Sequence, residues 1–442
     1  MAAVLDNFDR YESDDFARHD LTVTGITDDS TSAASNVYPF TPKFLKSCKN
    51  NPLCGICVGQ WCKLLWTRRH HIDYRTYWPR LVMISALSLF NSCLAIIETI
   101  LYAKQIEQVT LSSRPVFVLG HPRTGTTLLH SLLALDTEQF AICTTFCAGF
   151  PSAFLWLEDV GKPWLSGVMD ETRPMDNMPL HFDLPQEDEL ATNIFTAGDA
   201  VSPYMAIWFM NLESTFRPFF AFDSKSATGP LSGDVTLPED QMTRARNLWT
   251  TSFLHLLKKL TLRARIRQPN SRNRLLLKSP VHTARIPMLL QLFPDAQFIY
   301  IHRHPYDVFR SAAHMADTTY WYTYFNTPTP VMIQEFILRQ YEILWEKYQE
   351  GKKLLIQSDN QQLVEVSYEE LAQDPILTVE GIYRQLGWEL SSSYKQRLDQ
   401  DLAFRVSYEK NSHRPLPPGI RKIINDRWGP SFDALGYSKD DS

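Results

Sequence analysis

Residues Pro115 to Leu133 are the most constraining stretch of the sequence. An apolar run, Val116–Leu119, ends at Gly120. A short loop, His121-Pro122-Arg123-Thr124, then leads to Gly125 and to Thr126-Thr127 followed by Leu-Leu-His-Ser-Leu-Leu. Four apolar residues without alternation, closed by glycine, predict a strand buried on both faces. Hydroxylic residues followed by leucines predict a helix over Thr126–Leu135. Further buried-strand runs occur at Leu275–Leu277, Phe298–Ile301 and Leu363–Val366, and Pro305–Ala316 has a helical pattern. Strand, sharp turn and helix repeated with long crossovers predict an α/β fold in three layers, a mostly parallel central sheet flanked by helices. With 44% hydrophobic and 21% charged residues in 442, the chain has ample material for such a core, and a net charge of −5 excludes whole-protein attraction to nucleic acid.

The loop itself carries chemistry. Backbone N–H groups and the positive dipole end at a helix start form an anion site. Gly120 and Gly125 are spaced as in a nucleotide phosphate-binding loop, so the fold expected is P-loop-like, but Thr126 stands where that loop needs its lysine. The cation lies inside the loop instead, at Arg123. A kinase-type loop handles a triphosphate with Mg²⁺. An internal cation without a metal ligand suits transfer of a less charged group, such as a sulfuryl group leaving a phosphosulfate. A second motif, Ala296-Gln-Phe-Ile-Tyr-Ile-His-Arg303-His-Pro305, ends a strand on Arg303, and Pro305 opens a helix that carries Ser311. A guanidinium at a strand end and a hydroxyl on the next helix can grip one phosphate from two sides.

These two segments resemble the signatures of sulfotransferases that use 3′-phosphoadenosine 5′-phosphosulfate (PAPS), and the resemblance runs from about Arg114 to the C-terminus. It implies that Arg123, Thr124, Gly125, Thr126 and Thr127 bind the phosphosulfate, and Arg303 and Ser311 the 3′-phosphate. Val366-Ser367-Tyr368-Glu-Glu-Leu-Ala-Gln-Asp-Pro375 is similar to a family segment whose tyrosine lies by the adenosine, and Ile420-Arg421-Lys422 resembles a late basic loop near the 3′-phosphate. PAPS is then the co-substrate, with no metal required. Two further readings remain at this stage: a nucleotide kinase or NTPase, and a membrane-tethered adaptor with a nucleotide-binding shell.

Sulfuryl transfer needs a base for the acceptor and cations for the charge that builds on the bridging oxygen. Leu275-Leu-Leu-Lys278-Ser-Pro-Val-His282 offers both. Lys278 is similar to the family lysine that contacts the sulfuryl oxygens, and His282 is a base candidate. In the family's protein-tyrosine branch a glutamate follows the loop helix, but here that place falls near Thr145. Pro185-Gln-Glu187-Asp-Glu189 supplies another candidate, Glu187, although acidic runs before a helix are usually solvated. The base stays open between His282 and Glu187. Aromatic residues across 137–274, and the cluster Tyr320-Trp-Tyr-Thr-Tyr-Phe325, suggest a substrate-side lid and a partly apolar acceptor: a small molecule, a lipid or a carbohydrate.

Ahead of this region, residues 1–36 are acidic and predict a disordered tail, and 37–113 form a Cys- and aromatic-rich extension. Its apolar stretch Leu81–Ala103 is long enough to cross a bilayer, and carries a thin polar stripe of Ser85, Ser88, Asn91, Ser92, Glu98 and Thr99. Basic and tryptophan-rich flanks precede it, so residues 61–103 are expected either to contact a membrane, in the Golgi or another endomembrane, or to pack on the domain of a cytoplasmic protein. Four of the seven cysteines lie within Cys48–Cys62. Cys54 and Cys57, with Cys62, His70 or His71, match the start of a zinc site; without a second close pair, palmitoylation or buried thiols are the better expectation.

Overall fold

A computed structural model describes residues 36–165, 181–223, 237–269, 271–357, 362–405 and 415–439. The acidic tail expected over 1–36 therefore falls, but for its last residue, outside the described residues. The five strands are β1 (Val116–Leu119), β2 (Phe140–Ile142), β3 (Arg274–Lys278), β4 (Gln297–His302) and β5 (Leu363–Ser367). They form one sheet in the order β2-β3-β1-β4-β5, and every pair is parallel. All four β1 side chains are buried, as the unbroken apolar run requires at the centre of a sheet covered on both faces. The sequence pattern gave four of these strands. It missed β2, whose three residues are too few to show a period.

The helices that position the site are α1 (Val58–Arg68), α2 (Tyr74–Glu107), α3 (Thr126–Ala134), α4 (Asp188–Thr196), α5 (Glu239–Arg267), α6 (Pro305–Thr319), α7 (Pro330–Gln357), α8 (Tyr368–Gln373) and α9 (Pro418–Leu435). Strand order reverses around β1: β2 and β3 lie on one side of it, β4 and β5 on the other. A crevice opens at the carboxyl ends of strands where the order reverses. The loop after β1 and the end of β4 face each other there.

Most of the described aromatic residues of 137–274 are core rather than lid. Phe146, Phe154, Trp208, Phe209, Phe216 and Phe220 are all buried, as are Trp321, Tyr324 and Phe325 of the second cluster. Rings of this size dominate a core by the area they bury. The N-terminal extension shares that core: Leu53, Ile56, Trp61, Tyr77 and Ile84 join the same apolar cluster, and the Trp61 ring centroid lies 5.8 Å from that of Phe325.

Helix α2 begins earlier than the apolar run, because Asp73 caps it by accepting from Arg75 N and Thr76 N. Its polar stripe points into the protein except at Thr99, which is exposed and donates to Ala95 O. Asn91 Nδ2 donates to Cys54 O (2.6 Å) and Ile56 O (3.1 Å). Ser92 Oγ accepts from Val58 N and Ser85 Oγ from Trp61 Nε1. Glu98 accepts from Leu155 N and pairs with Lys259, both of them buried. Buried Arg80 donates to the carbonyls of Phe44, Ser47, Trp321 and Tyr324. All seven cysteines are free thiols. Among the described residues no group of three or more His, Cys, Asp or Glu is placed to hold a metal, so the zinc set around Cys54 and Cys57 is not assembled.

Candidate active site

The loop after β1 has the unusual backbone its glycines allow. Gly120 (φ +149°) and Gly125 (φ +94°) both lie where L side chains rarely go. A Cβ on Gly120 would sit 2.6 Å from Ile301 O, and one on Gly125 would sit 2.5 Å from the Tyr368 ring. Arg123, at φ 76°, is a non-glycine residue held left-handed within the loop. Thr124 Oγ1 donates to His121 O (2.8 Å), so this hydroxyl braces the loop rather than facing outward. Thr283 straps it from the other side, accepting from Gly120 N (2.8 Å) and donating to Gly120 O (3.2 Å). His121 packs against Tyr341, and burial pushes its imidazole down to about 3, so it stays neutral.

The two expected phosphate motifs meet. Arg123 Nε donates to Ser311 Oγ on α6 (3.0 Å), and Arg303 Nη1 reaches Arg123 O (3.4 Å). The Arg303 guanidinium stacks 4.3 Å over the Tyr368 ring, the same ring that faces Gly125. Arg303 Nε is buried without a hydrogen-bond partner in the structure. A buried donor of this kind is costly unless an anion takes it. The cradle thus combines two guanidiniums, the first turn of α3 and a stacking ring. Arg421 is placed apart, 4.7 Å over the Tyr306 ring just after Arg303, donating to Lys439 O (3.3 Å).

The acidic run Glu187-Asp188-Glu189 is not solvated. Asp188 and Glu189 are fully buried at the start of α4, and each acid meets a base from the segment that ends β3. Lys278 Nζ donates to Glu187 Oε1 (2.8 Å), His282 Nε2 to Asp188 Oδ2 (2.5 Å), and Arg285 Nη1 to Glu189 Oε2 (2.8 Å). Asp188 Oδ1 also accepts from Lys278 N (3.0 Å), which pins the two segments together. Burial works to raise the Asp188 carboxyl, but the facing imidazole outweighs it and holds the group below the usual carboxylate range.

The three pairs differ in access. Glu189 and Arg285 are enclosed, with Trp249 Nε1 and Ser202 Oγ also donating to the carboxylate. His282 is equally enclosed, with the Phe117 and Phe253 rings at 5.4 and 5.5 Å and Nδ1 buried without a partner in the structure. Only Glu187 keeps a side chain partly open, at 21%. Lys278, beside it, also reaches Thr127 Oγ1 (3.4 Å) in the loop. The ammonium therefore stands between the phosphate loop and a carboxylate. Tyr204 completes the group, donating to Glu187 Oε2 and lying 3.0 Å from Ser279 Oγ. Burial, then the Glu187 charge, push the Tyr204 phenol far up, so it acts as a donor. Tyr204 and Thr283 have no local motif to flag them, and Asp188 and Ser279 lie inside quoted motifs without being singled out.

A sequence model described as the sulfotransferase family matches residues 115–392. The omega-hydroxy-beta-dihydromenaquinone-9 sulfotransferase Stf3 of Mycobacterium bovis is 30% identical over 385 residues, 87% of this chain and 91% of its own length. Its Mycobacterium tuberculosis counterpart matches equally. The sulfotransferase STF1 of M. tuberculosis H37Rv shares the fold with a TM-score of 0.56 at 17% identity, covering 92% of this chain and 99% of that one. STF9 of Mycobacterium avium superposes with the same score at 16% identity, covering 94% and 98%. With the β1 loop, the Arg303 strand end and these relatives in agreement, the chain belongs to the sulfotransferase family.

Proposed function

We propose that this sulfotransferase takes its sulfuryl group from PAPS and passes it to a hydroxyl of a lipid-like acceptor. The observation that carries the reading is the chain of contacts Thr127–Lys278–Glu187, which joins the phosphate loop to an accessible carboxylate. The residues fit an adenosine bisphosphate end: Arg123, Arg303 and Ser311 supply cations and a hydroxyl, and Tyr368 a ring face beside Gly125. Thr126 and Thr127 open α3, where the dipole favours the phosphosulfate. Arg421 is assigned a supporting place over Tyr306 at the start of α6.

Glu187 is assigned as the base in place of His282, because the imidazole has no open face. The acceptor hydroxyl gives its proton to Glu187 while its oxygen forms the new S–O bond. The bond between sulfur and the bridging phosphate oxygen breaks. Lys278 offsets the charge that develops on the departing oxygen, and Tyr204 and Ser279 keep the Glu187 carboxylate aimed. The acceptor class is argued from the Stf3 relative, whose name specifies a hydroxylated menaquinone derivative. Carbohydrate is disfavoured because the aromatic residues expected to stack on sugars are mostly enclosed in the core.

Thermal stabilisation by 3′,5′-adenosine bisphosphate tests the donor assignment. Stabilisation without added metal, exceeding that by ATP–Mg²⁺, is expected. Arg303→Ala should weaken it more than Arg421→Ala, and the reverse ranking in either comparison overturns the assignment. Labelled PAPS offered with hydroxylated isoprenoid quinones and, separately, with oligosaccharides tests the acceptor.

A further inference from the structure

Helix α2 is amphipathic the wrong way round for a soluble protein. Its inner face holds Arg80, Ser88, Asn91 and Glu98, all buried, together with Tyr77, Leu81, Ile84 and Leu94. Its outer face carries Trp78, Val82, Leu89, Phe90, Ile96, Ile97, Ile100 and Leu101, which are 40 to 78% exposed. Surface helices normally bury the apolar side and solvate the polar one. Contiguous exposed apolar surface on this scale marks an interaction site.

We infer that this outer face docks in the plane of a lipid bilayer, with the helix lying in the interface rather than crossing it. Charge identifies the partner. From Gln60 to the end of α2 the acids are Asp73, Glu98 and Glu107; Asp73 caps α2, Glu98 is buried against Lys259, and exposed Glu107 is the last residue of the helix, at the end away from the cationic cluster. Exposed Arg69, His70 and Arg75 gather at the N-terminal end with exposed Trp66, Tyr74 and Trp78. Indoles and phenols settle at headgroup depth and guanidiniums meet anionic lipids, so a cationic, acid-free apolar face complements a membrane. A second copy of the chain would bring the same cationic end against itself in a parallel pairing.

Hydrogen bonding decides between lying on the membrane and crossing it, because Leu81–Ala103 alone is long enough to cross a hydrocarbon core of about 30 Å. Crossing would strip the inner face from the protein, leaving Arg80 without its four carbonyls and parting Glu98 from Lys259. Polar groups released into hydrocarbon without partners are prohibitive. In-plane docking keeps every one of these bonds. Arg80 also fixes the backbone of Trp321 and Tyr324, whose side chains belong to the core cluster that the extension shares with the domain. The inference does not rest on the proposed reaction.

The full chain should co-sediment with phosphatidylcholine vesicles containing phosphatidylserine, and less with phosphatidylcholine alone. Leu89→Glu with Ile97→Glu, both on the outer face, should lower the vesicle partition on the order of 100-fold. Far-UV circular dichroism and stabilisation by 3′,5′-adenosine bisphosphate should be unchanged. Arg69→Glu with Arg75→Glu should abolish the preference for anionic vesicles. Three results overturn the inference: the first double variant binding vesicles like the parent; bound parent protein resisting alkaline carbonate, as a spanning helix would; or the parent forming a dimer that the same substitutions dissociate while no vesicle binding is seen.

Discussion

The side of the cleft assigned to the donor and the side assigned to the acceptor are assembled differently. The first uses short contiguous segments, the Gly120–Thr127 loop and the start of α6, whose backbone geometry does most of the positioning. The second uses three acids in a row at the start of α4 and three basic residues from the last position of β3 into the turn that follows, paired across 91, 94 and 96 positions of chain. A contiguous loop keeps its shape by steric restriction at a few φ angles. Pairs of charges keep theirs only while the fold holds both partners out of water. Glu187, Asp188 and Glu189 are neighbours of one residue type, yet one is open to the cleft and two are enclosed. Their partners divide one acidic run into a partly open end, the one assigned as the base, and an enclosed end.

The largest effect should separate these two ends. Glu187→Gln keeps the shape and the Tyr204 neighbour but cannot take a proton. Its kcat should fall on the order of 10³-fold, about 4 kcal/mol in the barrier, with stabilisation by 3′,5′-adenosine bisphosphate retained. His282→Gln should lower stability, and leave kcat per folded molecule within a few-fold. A kcat collapse in His282→Gln with normal stability would reverse the assignment of the base. Glu189→Ala sharpens the same contrast in denaturant titrations. It leaves the Arg285 guanidinium buried without its anion, at a cost of about 3–5 kcal/mol. Unchanged stability would mean that Arg285 finds water, and that the enclosed pair is not what fastens α4 to the turn after β3.

Legibility in the sequence follows the same division. The parallel sheet, the β1 loop, the Arg303 strand end and Tyr368 are local patterns, and the structure brings Gly125, Arg123, Arg303, Ser311 and Tyr368 into one cluster. Tyr204 is illegible because a tyrosine within a short helical turn has no motif; it matters only through its bond to Glu187. The acidic run misled because acids before a helix are usually solvated, and nothing in the run itself shows that Lys278, His282 and Arg285 will face it. The same limit applied to α2. Hydropathy found the helix, but only packing shows that its polar stripe is the inner one.

Acid should act first on the contiguous side. His121 lies in the loop and His130 in α3, and burial holds both imidazoles down to about 3, aided for His130 by the Lys278 charge. Unfolded, each takes a proton near its ordinary value of about 6.5, so between those limits the unfolded chain binds more protons and stability is lost as pH falls. The expected loss is about 1.4 kcal/mol per pH unit for each histidine. Melting temperatures from pH 7 to 5 should drop steeply, and His130→Gln should flatten the slope by about one proton. An equal slope in that variant would place the acid sensitivity in other groups. Asp188, held low, adds its loss only below the unfolded carboxylate range.

The smallest effect tests whether the loop's shape does the binding. Gly125 and Gly387 both sit at positive φ, +94° and +68°, so alanine strains the backbone at either place. A Cβ at Gly387 meets nothing within 4 Å, whereas one at Gly125 meets the Tyr368 ring at 2.5 Å. Gly387→Ala should cost about 1 kcal/mol of stability and leave affinity for 3′,5′-adenosine bisphosphate untouched. Gly125→Ala should cost a similar amount of stability and, by pushing Tyr368 from under Arg303, weaken that affinity by about 1–2 kcal/mol in calorimetric titrations. If both variants bind equally well, the ring can move without consequence, and the donor side would then depend on its charges just as the acceptor side does.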